Sequence, residues 1–395
     1  MSAAIGYVTG SGTASSLADP LVRAYWSDKL HQESLQDLFW TERGMVAQLT
    51  SAETEDEDAL KRMAAAPLIS IDDFDTKRTQ RVRLALMRQL IRNRGLTNRA
   101  AASGGIAAAT FGVTTMVGAE EVLSLYDTEV LVEQYKHATA FDTPDIQDLR
   151  TSFRMDQLSR TALSTWMTDQ KEELVNDAFE DGYAAHVIRA GFTSAVTHPN
   201  KKYAGAGSSD ETVSNDGTLS LAFIRRLYAL ARHNLFTDAN GTYDNPLNPI
   251  SINGGEYFAL TAPAFAINDL CADPAFRQTM ERALPRGVDH PLLTRASVVA
   301  EGVCIHEYNR VRHPTSGDGR LNKYHCQFMG AKAIVLANAS KPRLVVRKED
   351  EYEDRYGVGI KWVGGTRRCD YQDQGDTYTL NQSSIMATVF ASSTL

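Results

Sequence analysis

DIQDLRTSFRMDQLSRTALSTWMTDQKEELVNDAFED, residues 145–181, runs for thirty-seven residues without a glycine or a proline. Apolar residues recur there at three- and four-residue steps: Ile146, Leu149, Phe153, then Met155, Leu158, Ala162 and Trp166. Leu163, Met167, Leu174, Val175, Ala178 and Phe179 complete the series. That period predicts a helix with a broad apolar stripe on one side. Thr143 and Pro144 read as its N-cap and first helical position, with Asp145 and Asp148 facing the positive end of the dipole. Gly182 is the first expected stop or kink. A helix of that length spans roughly 50–55 Å. It is a beam along which strands can be laid.

The chain around it has 395 residues, a formal net charge of −8 and 43 % hydrophobic residues. That is enough for two or three cores, or for one elongated body with excursions. Residues 1–12 lack a basic start and an apolar stretch, so no secretory leader is expected. No run approaches the ~18 apolar residues a membrane span needs. Cys271, Cys304, Cys326 and Cys369 form no CxxC pair, which predicts free thiols in a reducing compartment. The mild acidity argues against a protein that coats nucleic acid, because affinity for phosphates comes from Lys and Arg.

Residues 1–16 are Gly, Ser, Thr and Ala with little to bury, and read as an arm. Residues 21–48 have amphipathic helical spacing anchored by Trp26, Leu30, Leu38, Phe39 and Trp40. An acidic run at 53–58 follows, containing Glu53, Glu55 and Asp58. Then the sign flips. No Asp or Glu occurs between Thr76 and Ala119, while Lys77, Arg78, Arg81, Arg83, Arg88, Arg92, Arg94 and Arg99 crowd the first half. Val82, Leu84 and Leu86 alternate as in a strand, yet Leu84, Met87 and Ile91 fit a helix nearly as well. Residues 100–118 are too poor in large apolar groups to build a core, so they form a loop or extend over a neighbour.

A short helical turn and a strand are expected over 120–141, with Val130 and Val132 on one face. Beyond Gly191 short elements alternate with turn signals. These include an amphipathic helix at 219–235, a Gly254-Gly255 turn into a buried strand at 256–261, and a helix opened by Asp273-Pro274. Strands are expected at 298–311, 357–363 and 377–389, and a helix or strand at 331–337.

Chemistry is sparse. Phosphate-loop, GxGxxG, GxSxG and HExxH motifs are all missing. Cys304, His306, His313, His325 and Cys326 are donors zinc accepts, but no close pair defines a site, so a metal-dependent hydrolase is the weaker alternative. The carboxylate pairs Glu120-Glu121 and Glu172-Glu173 read as solvated helix faces. The arginines could bind phosphates, although no aromatic falls between Phe74 and Phe111 to stack on bases. Alternatively Arg78, Arg81, Arg83, Arg88 and Arg92 meet Glu53, Glu55 and Asp58 of another copy, a charge clamp that sets register.

In order, these parts are an arm, a basic two-stranded excursion, a strand, a very long helix and a mixed domain. That plan resembles the tailed-phage major capsid proteins with the Hong Kong 97-like α+β fold. Nearer still, the chain resembles the major capsid protein family of the enquatrovirus-like phages. The resemblance rests on Gly118 to Leu123 with Tyr126, on Val130 to Ala138, and on Pro249-Ile250 with Gly254 and Tyr257. Asp269 to Phe276, Gly302 to Glu307, Gly330 to Ala333 and Asp354 to Gly357 add to it. It implies an N-terminal arm (1–65), an extended loop over an adjacent subunit (66–127), a peripheral domain on the long helix (128–190), an axial domain (191–330) and returning C-terminal strands (331–395). It favours strand at Val82 to Leu86 and places His306-Glu307 in a structural strand. The implied function is the self-assembling subunit of an icosahedral phage shell, not an enzyme and without a cofactor. A cellular nanocompartment shell of the same fold is the alternative. Implied partners are other copies in hexamers and pentamers, portal, scaffold or decoration proteins, and packaged double-stranded DNA bound without sequence preference, with no membrane. The implied location is the virion capsid, after synthesis in the host cytoplasm.

Overall fold

A computed structural model describes residues 38–50, 57–72, 81–87, 125–142, 155–185, 201–203, 213, 217–232, 235–238, 241–244, 247–252, 254–282, 298–314, 322–346, 355–372, 379–381 and 384–391. In chain order the first elements are α1 (Phe39–Glu42), β1 (Val46–Thr50), α2 (Glu57–Ala64), β2 (Leu68–Asp72) and β3 (Arg81–Met87). Next come β4 (Leu125–Leu131), β5 (Glu133–Asp142), the long helix α3 (Met155–Ala185) and β6 (Lys201–Tyr203). Helix α4 (Leu221–Arg232), the hairpin β7 (Leu235–Asp238) and β8 (Gly241–Asp244), and β9 (Ile250–Ile252) lead to β10 (Gly255–Ala262). Helices α5 (Ala264–Ala272) and α6 (Pro274–Arg282) precede β11 (Val298–Ala300), β12 (Val303–Glu307) and β13 (Lys323–Met329). The chain closes with β14 (Ile334–Val346), β15 (Arg355–Arg368), β16 (Asp370–Gln372), β17 (Thr379–Asn381) and β18 (Ser384–Phe390).

Two large sheets flank α3. The five-stranded one has the order β1-β2-β14-β15-β5, and the other has the order β11-β12-β10-β13-β18-β6 with β9 added on β10. A smaller sheet, β17-β16-β4-β3, continues from the first, because β4 runs into β5 with only Val132 between them. Strand β2 is buried along nearly its whole length because both faces of its sheet are covered. Ile69 and Ile71 join Met63 of α2 and Val335 on one face. On the other, Leu336, Ile360 and Trp362 meet Leu163 and Met167 of α3. The second sheet buries Phe258, Leu260, Ile305 and Phe328 in the main core, which also takes in Leu227 of α4, Leu270 of α5, and Val175 and Phe179 of α3.

Several expectations change here. The helix runs through Gly182 to Ala185, and its predicted first turns lie outside the described residues. At 1.5 Å per residue the described part is about 46 Å long. Its buried side is not an apolar stripe: Ser159, Ser164, Thr168, Lys171, Glu172 and Asn176 are buried among the apolar residues, whereas Leu158 is exposed. Within the span expected to be helical at 21–48, Val46 begins β1, which pairs in parallel with β2. Residues 38–50 lie inside the expected arm, yet Trp40 and Met45 are fully buried. The strand expected at 298–311 is broken by a turn at Glu301 and Gly302, both with positive φ. Of residues 331–337, the part from Ile334 on is strand, and β3 is a strand paired residue by residue with β4. The Gly254 turn has φ +79°, a conformation glycine adopts without the clash a Cβ would bring.

Candidate functional site

Where α3 meets the second large sheet, a polar seam runs beside the apolar contact of Val175 and Phe179. Asp169, Glu172, Glu173, Asn176, Asp177 and Glu180 repeat at three- and four-residue steps, so they share one side of the helix. Asn176 Nδ2 donates to the Tyr308 hydroxyl at 2.8 Å, and Asn176 Oδ1 accepts from Gln327 Nε2 at 2.9 Å. Arg310 bonds Asp169 at 2.6 Å and Glu172 at 3.0 Å. The other oxygen of Glu172 accepts the Phe39 N–H at 3.1 Å. Burial raises the Glu172 pKa, opposed by the Phe39 N–H and the Arg310 charge. Arg312 pairs with Glu173, with Asp177 at 2.5 Å and, more loosely, with Glu180 at 3.9 Å. Glu180 in turn meets His325 Nδ1 at 3.2 Å. The segment after β12 thus holds the helix through two arginines and five carboxylates. Glu172-Glu173, expected to be a solvated face, is part of this seam, and Glu172 is buried. The signal was present as carboxylates at helical spacing, but their partners lie more than 130 residues away.

A second polar cluster is buried between α3 and the five-stranded sheet. Lys171 is fully buried with its Nζ 5.6 Å from the Trp362 ring centre, and burial lowers its pKa to about 7. Trp362 Nε1 donates to Asn338 Oδ1 at 3.1 Å, and Asn338 Nδ2 donates to Asp72 at 2.6 Å.

The cysteines and histidines do not converge. Cys304 and His306 share a face of β12, but β10 separates that strand from β13, which carries His325 and Cys326. Two strand spacings are about 9.6 Å, too far for one ion. Consecutive residues on a strand also point to opposite faces, which splits His325 from Cys326. His313 Nδ1 instead sits 2.9 Å from the Lys323 carbonyl. Burial pushes the Cys304 thiol up to about 12 and, with the Arg43 charge adding to it, lowers His306 to about 3. Neither ring nitrogen of His306 meets a partner among the described residues. The metal-hydrolase alternative loses its donor set.

Of the residues expected in a charge clamp, Arg81 and Arg83 lie in β3 opposite Leu131 and Glu129. Asp58 is exposed on α2 and 3.6 Å from Lys61 one turn on. Glu53, Glu55, Arg78, Arg88 and Arg92 lie outside the described residues.

One groove opens beside α3, with a volume of about 440 Å³. Leu131, Tyr135 and Leu174 give it an apolar lining, and Glu133, Asp177, Glu180 and Arg312 a charged one. Leu131 is 56 % exposed, the most of any large apolar side chain described. Here β15 passes the bend between β4 and β5 so closely that a Cβ on Gly365 would stand 1.9 Å from the Leu131 carbonyl oxygen.

Comparison with known proteins gives a consistent result. The family model described as phage capsid protein matches residues 18–392. The major capsid protein of Pseudomonas phage KPP25 is 22 % identical over 286 residues, 64 % of this chain and 72 % of that one. The capsid of Ralstonia phage GP4 superposes with a TM-score of 0.65 at 18 % identity, covering 91 % of this chain and 93 % of the other. The capsid asymmetric unit of cyanophage Pam1 gives a TM-score of 0.61 at 19 % identity, covering 83 % and 90 %.

Proposed function

The chain belongs to the phage capsid protein family, and from that premise we propose that it is a major capsid protein whose copies assemble into the phage shell. The observation that carries this reading is agreement along nearly the whole length between the family match and the fold it shares with two phage capsids. The geometry supports it. A long helix clamped between two sheets makes a stiff tile, and the edge strand β5 and the groove offer it exposed surface at one edge.

The finer reading is a Hong Kong 97-like subunit nearest the enquatrovirus-like phages, supported by the order and spacing of the motifs quoted above. In that reading the arm (1–65) contributes β1 to the five-stranded sheet, and the loop of 66–127 extends over an adjacent subunit. The helix α3 with the five-stranded sheet forms the peripheral domain, and the second large sheet forms the axial one. The partners are other copies in hexamers and pentamers, a portal, scaffold or decoration proteins, and packaged DNA on the inner face. The net charge of −8 disfavours tight binding of that DNA. Synthesis is in the host cytoplasm, and the copies end in the virion. Expressing the chain and imaging the product by negative-stain electron microscopy tests this: closed shells are expected, and dispersed single subunits under all assembly conditions would refute it.

A further inference from the structure

We propose that the face of the five-stranded sheet turned away from α3 is a docking surface for an acidic helix of a second protein, seated across β14, β15 and β5. The inference rests on the shell reading above and adds a binding surface to it. Ile360 and Trp362 of β15 and Leu344 of β14 pack towards α3. Lys361 and Arg343, each one residue away along its strand, therefore point to the other face. Arg343 stands opposite Lys361 in the ladder, and Lys361 opposite Lys136 of β5, so three cations form one row across three strands. All three are exposed, and none has an ion-pair partner among the described residues. Like charges directly opposite one another destabilise a sheet. The row weakens the lone subunit, and a covering anion removes that penalty.

The shape of the row selects the partner. Neighbouring strands lie about 4.8 Å apart, so the row is roughly 10 Å long. It is one charge wide, because the ladder positions on either side, Val345-Gly359-Ala138 and Ser340-Val363-Gln134, carry none. Carboxylates three or four residues apart on a helix stand about 5–6 Å from one another and match that spacing. Small and apolar neighbours, Val345 among them at 38 % exposure, let such a helix lie flat. Helix α2 already covers the other end of this face, with Met63 on Ile69, Ile71 and Val335. A DNA duplex fits less well, because its phosphates flank grooves about 6–12 Å wide and call for cations in more than one line.

The acidic runs of this chain itself are poor occupants. Glu349, Asp350, Glu351, Glu353 and Asp354 are bracketed by Arg347, Lys348 and Arg355, and the run at 53–58 is followed by Lys61 and Arg62. Either run would bring cations against the row together with its carboxylates. A helix without such flanking cations neutralises the row with no new repulsion.

Fluorescence anisotropy on assembled full-length protein tests this, the probe being a labelled synthetic helical peptide with glutamate at every fourth position. Binding that weakens with salt is expected, and Lys361→Glu should weaken it about tenfold. Lys361→Gln should also weaken binding while raising the melting temperature, because it removes the middle charge of the row. A side chain needed only for folding would lower the melting temperature instead. No binding by unsubstituted particles, or binding of a duplex DNA fragment as tight as that of the peptide, would overturn the assignment and leave the shell reading standing. So would loss of particles in Lys361→Glu, which would make the row a contact between copies. If the unsubstituted chain forms no particles, the shell reading falls, and the same titration on the dispersed chain decides the row by itself.

Discussion

Asn176 and Tyr308, 132 residues apart in the chain, are joined by a buried 2.8 Å hydrogen bond that ties the long helix to the end of β12. Gln327 completes the arrangement from β13, so one helical side chain reads two segments of the second sheet that lie on either side of β10. Polar groups satisfied in this way fix how the helix sits; a purely apolar contact would allow it to slide or rotate.

Asn176→Ala removes both bonds and leaves the Gln327 amide buried without its acceptor. The expected loss is about 2–4 kcal/mol, from the cost of unsatisfied buried polar groups. Urea unfolding of the full-length protein checks it, with a lower midpoint and an unchanged slope as the expected outcome.

His306 predicts acid sensitivity with a definite sign. Its folded pKa of about 3 lies below the ordinary 6.5, because burial, and secondarily Arg43, disfavour the imidazolium. Between those values the unfolded chain binds a proton that the folded chain does not. Stability from this residue is therefore complete above pH 6.5 and falls as the pH drops towards 3, by about 3 kcal/mol at pH 4. His306→Leu should flatten the stability profile over that window. An identical slope in both proteins would remove His306 as the cause.

Lys171 predicts a change of the same sign at higher pH. Burial lowers its pKa to about 7 from 10.5, so the unfolded chain holds the proton more tightly across that interval. Raising the pH from 7 to 9 should stabilise the protein through this group by about 2 kcal/mol. In Lys171→Met that gain should disappear, which thermal unfolding at the two pH values measures.

Gly365→Ala should cost about 2–4 kcal/mol, because backbone cannot yield as a flexible side chain can. The added Cβ would meet the Leu131 carbonyl oxygen and force β15 away from the bend between β4 and β5. A lowered melting temperature, with chymotryptic cutting newly appearing beside Leu131, is the expected result.

Local chemistry made much of this fold legible. The helix centred on residue 170, α4, the Gly254 turn into β10 and the Asp273-Pro274 start of α6 all rest on patterns within about a dozen residues. Asp273 illustrates the boundary of that information. Its role at the start of α6, accepting the Ala275 N–H at 3.0 Å, was readable, but its second oxygen also accepts the Leu221 N–H at the start of α4. The parallel pairing of β2 with β14 joins residues some 266 positions apart, and no local pattern announces it. β1 was hidden because Leu38 and Trp40, which read as anchors of a helix over 21–48, are apolar for reasons of tertiary burial. α5 was missed because Pro263 and a nine-residue length gave it too little periodicity to register. The site was less legible than the fold. The carboxylates of α3 could be seen, but not that Arg310 and Arg312 would come to them, and the Cys/His group gathered in sequence is dispersed by strand order.

The central claim, that this polypeptide is a repeating tile, is tested most directly by cryo-electron microscopy of the purified full-length chain under assembly conditions. Closed icosahedral particles, with α3 resolved as a continuous rod in every subunit of the wall, are the predicted result. A population of compact monomers, with groove and strand edges covered by the same chain, would contradict it.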